Sequence, residues 1–395
     1  MNEPKLRFKA DDGSQFPDWE EKKIGDIFSK VKDKNKDGQN QNVITNSAEF
    51  GLINQRDFFD KDIAVDGKTE NYTVIKTGDF VYNPRKSKQA PYGPFNCYQL
   101  EEDGIVSPLY TCLRPKGNAD DKYLHWYFQS GSWYRFIYEN GAQNGARHDR
   151  VGMTDSLMQG IPVYLPQVVE EQQKIAEFLS TIDTVIAKQK ETVSAWEERK
   201  KGMMQKLFSQ EVRFKADDGS DFPEWEEKKL GECCDILDSK RKPISKENRV
   251  LGKYAYYGST NIQDYINEYL FDEPLVLLAE DAGPFDDFWN KAIAQFATGK
   301  FWVNNHAHVL RPHENRKYFF YSLEHRDIRV YINNPSRGKL NQEDMVKIPM
   351  YIPCLAEQQK IADCLSSLDE VIEKQKATLA AWEELKKGLL QQMFV

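Results

Sequence analysis

Two phrases each occur twice in this chain, and that repetition limits its possible folds more than any other feature. "RFKADDGSQFPDWEEKKIG" begins at Arg7 and "RFKADDGSDFPEWEEKKLG" at Arg213, an offset of 206 with 16 identities in 19 positions. The second phrase runs from Glu171 to Phe208 and again from Glu357 to Phe394, an offset of 186 with 24 identities in 38 positions. Self-similarity at fixed offsets means a repeated structural unit. The unit is a short joint, a variable block and a long helix, written twice, with the second block about 20 residues shorter.

The longer phrase has a coiled-coil period. Steps of four and three from Ile175 reach Leu179, Ile182, Ile186, Gln189, Val193, Trp196, Lys200, Met203 and Leu207. The second copy gives Ile361, Leu365, Leu368, Ile372, Gln375, Leu379, Trp382, Lys386, Leu389 and Met393. A stripe this narrow on a helix of about 57 Å must be covered by a partner, and the other copy is the obvious one. The spacer seam is therefore assigned to Ile175, Leu179, Ile182, Ile186 and Trp196, with Ile361, Leu365, Leu368, Ile372 and Trp382. "IPVYLP" (161–166) and "IPMYIP" (348–353) precede the helices and read as extended segments. In the shorter phrase "DDGS" makes a turn, Phe16/Phe222 and Trp19/Trp225 anchor it, and a short strand follows.

The blocks between are different sequences of the same kind. Runs such as "NYTVIKTGDFVYN" (71–83), "IVSPLYTCLRP" (105–115) and "PLVLLAE" (274–280) read as strands, and 121–140 and 315–332 as helices. The expected fold class is α/β (α+β), with two mixed α/β domains joined by two long antiparallel coiled-coil helices in pseudo-twofold symmetry. The divisions are 1–160 (first domain with its joint), 161–212 (first helix), 213–347 (second domain with its joint) and 348–395 (second helix). Pairing of the helices about a twofold axis would bring residue 395 close to residue 1.

The formal charge of −8 is unevenly spread. Residues 29–160 and 235–347 are neutral, and the acidic surplus lies in the repeated segments. The variable blocks can therefore gather Lys and Arg on one face while the chain as a whole stays acidic. No apolar run reaches the length of a membrane span. The charged N-terminus lacks the apolar core of a signal peptide. Six cysteines without C-x-x-C spacing suit reduced thiols in a cytoplasmic protein.

Catalytic constellations do not emerge. "PDWEEKK" keeps its acids within one joint, where a nuclease PD…E-x-K motif would spread them over two strands. "GKT" at Gly67–Thr69 has Asp62 in place of the P-loop glycine, and "NPR" at Asn83–Arg85 lacks the second proline and aromatic of a methyltransferase motif. His306 and His308 have no acidic or cysteine partner at metal-ligand spacing, so no metal is expected. What remains are loops rich in amide, basic and aromatic side chains, the types that contact base edges and phosphates. The candidates are Asn83, Arg85, Lys86, Lys88, Gln143, Asn144, Arg147 and Arg150 in the first block. In the second they are Lys240, Arg241, Lys242, Tyr257, Ser259, Thr260, Asn261, Arg337, Lys339 and Asn341.

The layout resembles the specificity (S) subunit of type I restriction–modification enzymes. The resemblance spans essentially the whole chain. It rests on the P-x-W-E…L-G joint and on Pro166, Glu171, Gln172, Ile175 and Leu179, repeated as Pro353, Glu357, Gln358, Ile361 and Leu365. "YYGSTNIQDYINEYLF" with "LLAEDAG" is also similar to a target-recognition domain of that family. The resemblance implies that each variable domain reads half of a bipartite, asymmetric double-stranded DNA site, with the helices as ruler and docking surface. It implies two methyltransferase (modification) subunits as partners, which bind S-adenosylmethionine and flip the target adenine, and two motor-nuclease (restriction) subunits. No cofactor is expected in this chain, and no membrane partner. A stand-alone DNA-binding regulator with paired readers, and a nuclease or methyltransferase in its own right, are the competing readings. A partner pull-down and cofactor turnover separate them.

Overall fold

A computed structural model of the chain describes residues 3–58, 69–140, 149–333 and 338–395. They form two compact units, one of residues 1–190 with 377–395 and the other of residues 191–376. Each unit therefore holds one variable domain, the first half of one long helix and the second half of the other. The helices span Val169–Phe208 and Leu355–Met393. The unit boundary falls in their middles, so the helices are shared between the units rather than segments of their own.

Within each unit the two helix stretches run antiparallel. In the first unit Lys190 pairs with Glu383 at 3.1 Å, and Lys386 with Asp183. In the second, Lys376 pairs with Glu197 at 3.0 Å, and Lys200 with Asp369 at 2.7 Å. Adding the 186-residue offset to Asp183 and Lys190 gives Asp369 and Lys376, so the same pairs occur in both units. Ile175, Leu179, Ile182, Ile186, Ile361, Leu365 and Ile372 are buried as the heptads require. Trp196 and Trp382 correct that expectation. Both are only half-buried and neither joins a hydrophobic cluster, Trp196 lying beneath Arg199 at 5.3 Å. Leu368 is also only partly covered.

The joints form as the sequence suggests. Gly13 and Gly219 take φ of 84° and 85°, the left-handed turn conformation that a side chain would strain. The strand Trp19–Lys23 then pairs antiparallel with Pro162–Pro166, and Glu226–Lys229 with Pro349–Ile352. Phe16 is buried, and Trp19 and Trp225 pack edge-on against Tyr123 and Tyr318.

The variable domains share more than their sequences reveal. In the first, four strands lie in the order Phe28–Lys30, Thr111–Pro115, Phe80–Tyr82, Phe95–Cys97, all antiparallel. In the second, Cys234–Ile236, Ala307–Pro312, Leu275–Ala279 and Ala294–Ala297 repeat that order and sense. Matching arginines brace the sheets, Arg114 on Asp79 at 2.7 Å and Arg311 on Glu273. Both belong to a "LRP" tripeptide (113–115 and 310–312), the sequence signal of this hidden repeat. Each domain then adds its own strands. The first has two separate two-stranded antiparallel pairs, and the second has a four-stranded sheet in which Leu251–Tyr257 runs parallel to Lys300–Val303.

One helix in each domain packs its sheet to the long helices. The helix expected over 121–140 stops at Asp121–Ser130, because Gly131 takes φ of 76° and caps it in the left-handed conformation. A second helix, Tyr134–Asn140, follows. The helix expected over 315–332 is shorter too, Arg316–Glu324. Asp120 and Asn315 cap the two helices, each accepting from the backbone amide three residues on at 2.9 Å.

Candidate nucleic-acid interface

Each joint is locked by one buried carboxylate. Arg7 donates twice to Glu171 at 3.0 Å, and the Trp19 indole donates to the same carboxylate at 3.2 Å. Arg213 and Trp225 clasp Glu357 with the same three donors, at 3.1, 2.9 and 3.0 Å, the indole here donating to the other carboxylate oxygen. Both Glu side chains are fully buried. Their hydrogen bonds hold the Arg7 and Arg213 guanidiniums above the ordinary arginine range. The next residue ties the helix start to the variable domain. Gln172 donates to the Pro166 carbonyl and accepts from the Asp120 amide, as Gln358 does with Pro353 and Asn315. A buried charge without such partners would cost several kcal/mol. The orientation of each domain on its helix is therefore specified twice by the same constellation.

That constellation positions two loops in each unit. In the first, the loop after Phe80–Tyr82 lies along the segment before the helix. Lys86 donates its amide to the Asp149 carbonyl at 2.8 Å, Val151 to Pro84 at 2.9 Å, and Arg85 bridges with Arg150. Arg85, Lys86 and Lys88 stand exposed there, with Asn83 and Arg150 half-exposed beside them. Arg85 approaches one carboxylate, Asp149, at 4.0 Å.

The second unit repeats the arrangement. The loop after Leu275–Ala279 lies along the chain around Lys339, with Leu340 donating its amide to the Glu280 carbonyl at 2.7 Å and Asp281 bridging Lys339. The loop of Ser259, Thr260 and Asn261 joins it, since the Ser259 hydroxyl donates to the Asp281 carbonyl at 2.6 Å. Lys339 is exposed and sits 3.5 Å from Glu280, Asn261 is exposed, and Asn341 begins a short helix. Lys240 and Lys242 are exposed on either side of Arg241. Gln143, Asn144, Arg147 and Arg337 lie outside the described residues.

Two sequence candidates take internal roles instead. Arg241 is held by Glu280, by Asp238 at 3.3 Å and by the Ala307 carbonyl at 2.7 Å, which leaves it a brace rather than a free donor. Tyr257 packs its ring on Phe301 at 5.5 Å, inside a core cluster. His308 also gains partners that its local sequence lacks. Its Nδ1 meets Asp238 at 2.6 Å and its Nε2 the Leu340 carbonyl at 2.9 Å, fixing the chain next to Lys339. Asp238, Glu280 and His308 lie close enough to hold a metal ion. The Arg241 guanidinium already supplies the positive charge between the two carboxylates, so the donor set does not call for one. The arrangement can present cations and amides to a polyanion; among the described residues it assembles no nucleophile–base pair.

The known proteins that this chain resembles fit the repeated architecture. The family model described as "Type I restriction modification DNA specificity domain" matches twice, over residues 17–194 and 223–381. The chain belongs to that family. The specificity subunit of the type I restriction enzyme MjaVIII from Methanocaldococcus jannaschii is 23% identical over 421 residues, covering 97% of this chain and 94% of that one. The specificity subunit S.HindORF215P of Haemophilus influenzae is 37% identical over 147 residues, so the match spans 37% of each chain. Among solved structures, the type I restriction–modification S subunit of M. genitalium has a similar fold, with a TM-score of 0.56 at 16% identity over 100% of this chain and 99% of that one. Specificity subunits are the non-catalytic members of type I systems. Among the described residues no helix is long and apolar enough to cross a membrane.

Proposed function

We propose that this chain reads a bipartite, asymmetric DNA sequence for a type I restriction–modification complex, each variable domain contacting one half-site. The observation that carries the reading is the matched pair of loops. In both units the loop after the central strand lies along the segment before the helix and presents cations there, Arg85, Lys86 and Lys88 in one and Lys339 in the other. A joint common to both units aims them alike. The residues between 141 and 148, including Gln143, Asn144 and Arg147, and Arg337 in the second unit, belong to the same two stretches of chain. On this reading the long helices set the spacing and dock two methyltransferase subunits, which carry S-adenosylmethionine and flip the target adenine. Two motor-nuclease subunits complete the assembly, and the complex works in the cytoplasm.

The test is a genome-wide map of N6-methyladenine with and without the protein, repeated after exchanging residues 235–347 for another recognition domain. One half-site should change and the other persist. If both change, the units are not independent readers. A chain that binds DNA yet captures no methyltransferase subunit is a stand-alone regulator. Within a half-site, Arg85→Ala and Lys339→Ala separate two kinds of contact. A lost base contact costs about 1–3 kcal/mol and relaxes one position, whereas a lost phosphate contact weakens all sequences and flattens the salt dependence.

A further inference from the structure

The second unit has a cavity where the first has a side chain. The helices Asp121–Ser130 and Arg316–Glu324 are in register through their capping residues and through Tyr123 and Tyr318, whose hydroxyls donate to the Tyr164 and Tyr351 carbonyls. That register sets Ser322 opposite Tyr127. Tyr127 is completely buried, stands edge-on to Phe394 at 6.0 Å and donates to the Pro162 carbonyl at 2.9 Å. Ser322 is too short to do either. A cavity of about 320 Å³ opens beside it, walled by Phe208, Trp225, Trp289, Tyr321 and Tyr351. Phe208 and Tyr351 are the counterparts of Phe394 and Tyr164. Trp289 and Tyr351 are 38% and 41% exposed, so ring surface faces open space.

A cation lines the same cavity. Arg326 donates to the carbonyl of Pro349, the counterpart of Pro162, and to the Met350 thioether at 3.5 Å. Among the described residues no carboxylate lies within 4.0 Å of it, whereas Arg7, Arg114, Arg213, Arg241 and Arg311 each hold one. Burial lowers its pKa, the direction expected of a cation without a counter-ion. Guanidinium prefers a planar, bidentate oxyanion, and an aromatic wall prefers a ring.

We propose that this cavity binds an aromatic carboxylate, its ring in the place that Tyr127 occupies in the first unit and its carboxylate on Arg326. The inference does not depend on DNA reading. The walls present aromatic rings, Arg326 is the one arginine or lysine in the lining, the Asp327 carboxylate that also lines it is held by Arg329 at 2.8 Å, and the first unit supplies the template from its own sequence.

The full chain is titrated with 3-phenylpropionate and with its neutral amide, reading tryptophan fluorescence from Trp225 and Trp289. The acid should give a saturable change, about tenfold tighter than the amide. Ser322→Tyr, which restores the first unit's packing, should weaken the acid by about tenfold or more. Arg326→Gln should abolish the difference between acid and amide while the ring still binds. Circular dichroism and urea midpoints establish that both variants fold. A peptide ending in phenylalanine with a free carboxylate distinguishes the source. Tighter binding than the free acid indicates a partner's chain terminus, and weaker binding a small molecule. No saturable response to the acid or the peptide at millimolar concentration, or an unchanged affinity in Ser322→Tyr, overturns the proposal.

Discussion

The two units are built on one plan, and one place where they part is the short helix that faces the long ones. Its first turn is the same in both, with a capping Asp or Asn, a buried Tyr and a bond to the helix-start Gln. Beyond that turn the pairs diverge: His125 stands opposite Phe320, Tyr127 opposite Ser322 and Gln129 opposite Glu324. The seam lysines respond. Lys200 is buried between Glu324, at 2.9 Å, and Asp369, and burial, which disfavours its charge, is outweighed so that its pKa is raised. Lys386 has one carboxylate, Asp183, and the Trp126 ring at 4.8 Å. The joint is thus held constant while the surface behind it is free to change.

The largest effect should come from the constant part. Arg7→Ala and Arg213→Ala each leave a fully buried carboxylate without its arginine, at about 3 kcal/mol or more in urea unfolding. Equal losses would support one clasp used twice; a neutral result in either would break the equivalence. Next comes the seam. Lys200→Met strands Glu324 and should cost about 3 kcal/mol, whereas Lys386→Met, at a more exposed pair, should cost about 1 kcal/mol or less. A reversed order would mean that Glu324 is not what distinguishes the units.

A smaller effect should appear with pH. The buried Nδ1 of His125 has no hydrogen-bond partner among the described residues, and burial, with help from Lys386 and against Asp183, lowers its pKa to about 4. Well above about pH 6.5 the imidazole is neutral folded and unfolded. As the pH falls from there to about 4, only the unfolded chain takes up the proton, so stability declines by about 2–3 kcal/mol and then levels. His125→Phe, the residue type found at position 320, should remove that decline from a urea series across this range. The smallest effect belongs to a rearrangement. Joining the ends and reopening the chain at Ser209–Gln210 should leave the melting temperature within a few degrees. A cut at Gln189, inside the seam, should not be tolerated.

The long helices, the joint turns and the seam were legible because their signals are periodic or local. Ile175 to Ile186 follow from spacing alone, and Gly13 follows from a turn that needs a positive φ. The clasp was not legible, because Arg7 and Glu171 meet 164 residues apart and nothing near Arg7 marks it as half-buried. The same holds for Lys200, which interrupts a heptad until Glu324 arrives from another helix. The shared four-stranded sheet escaped because strand order is set by hydrogen bonding between distant segments, and only "LRP" hints at it. Half-buried Trp196 and Trp382 show the opposite error, a heptad position taken for a core position. Of the candidate contact residues, Arg85, Lys86, Lys88, Lys240, Lys242, Asn261 and Lys339 are exposed, while Arg241 was drawn inward by carboxylates that its neighbours in sequence do not reveal.

One backbone hydrogen bond occurs in both units with very different histories. The Val212 amide donates to the Lys206 carbonyl at 3.2 Å across six residues, and the equivalent Leu6 amide donates to Gln392 at 3.0 Å across almost the whole chain. Loop closure grows with the logarithm of length, so the second contact costs about 3–4 kcal/mol more entropy to form. The second unit is one continuous stretch of chain, whereas the first needs Met393 and Phe394 for its core. During synthesis the earlier domain must wait for the helix turn that carries Met393 and Phe394, while the later one can close as soon as its own residues are available. A chain cut between residues 376 and 393 would hold the downstream domain finished and the upstream one incomplete.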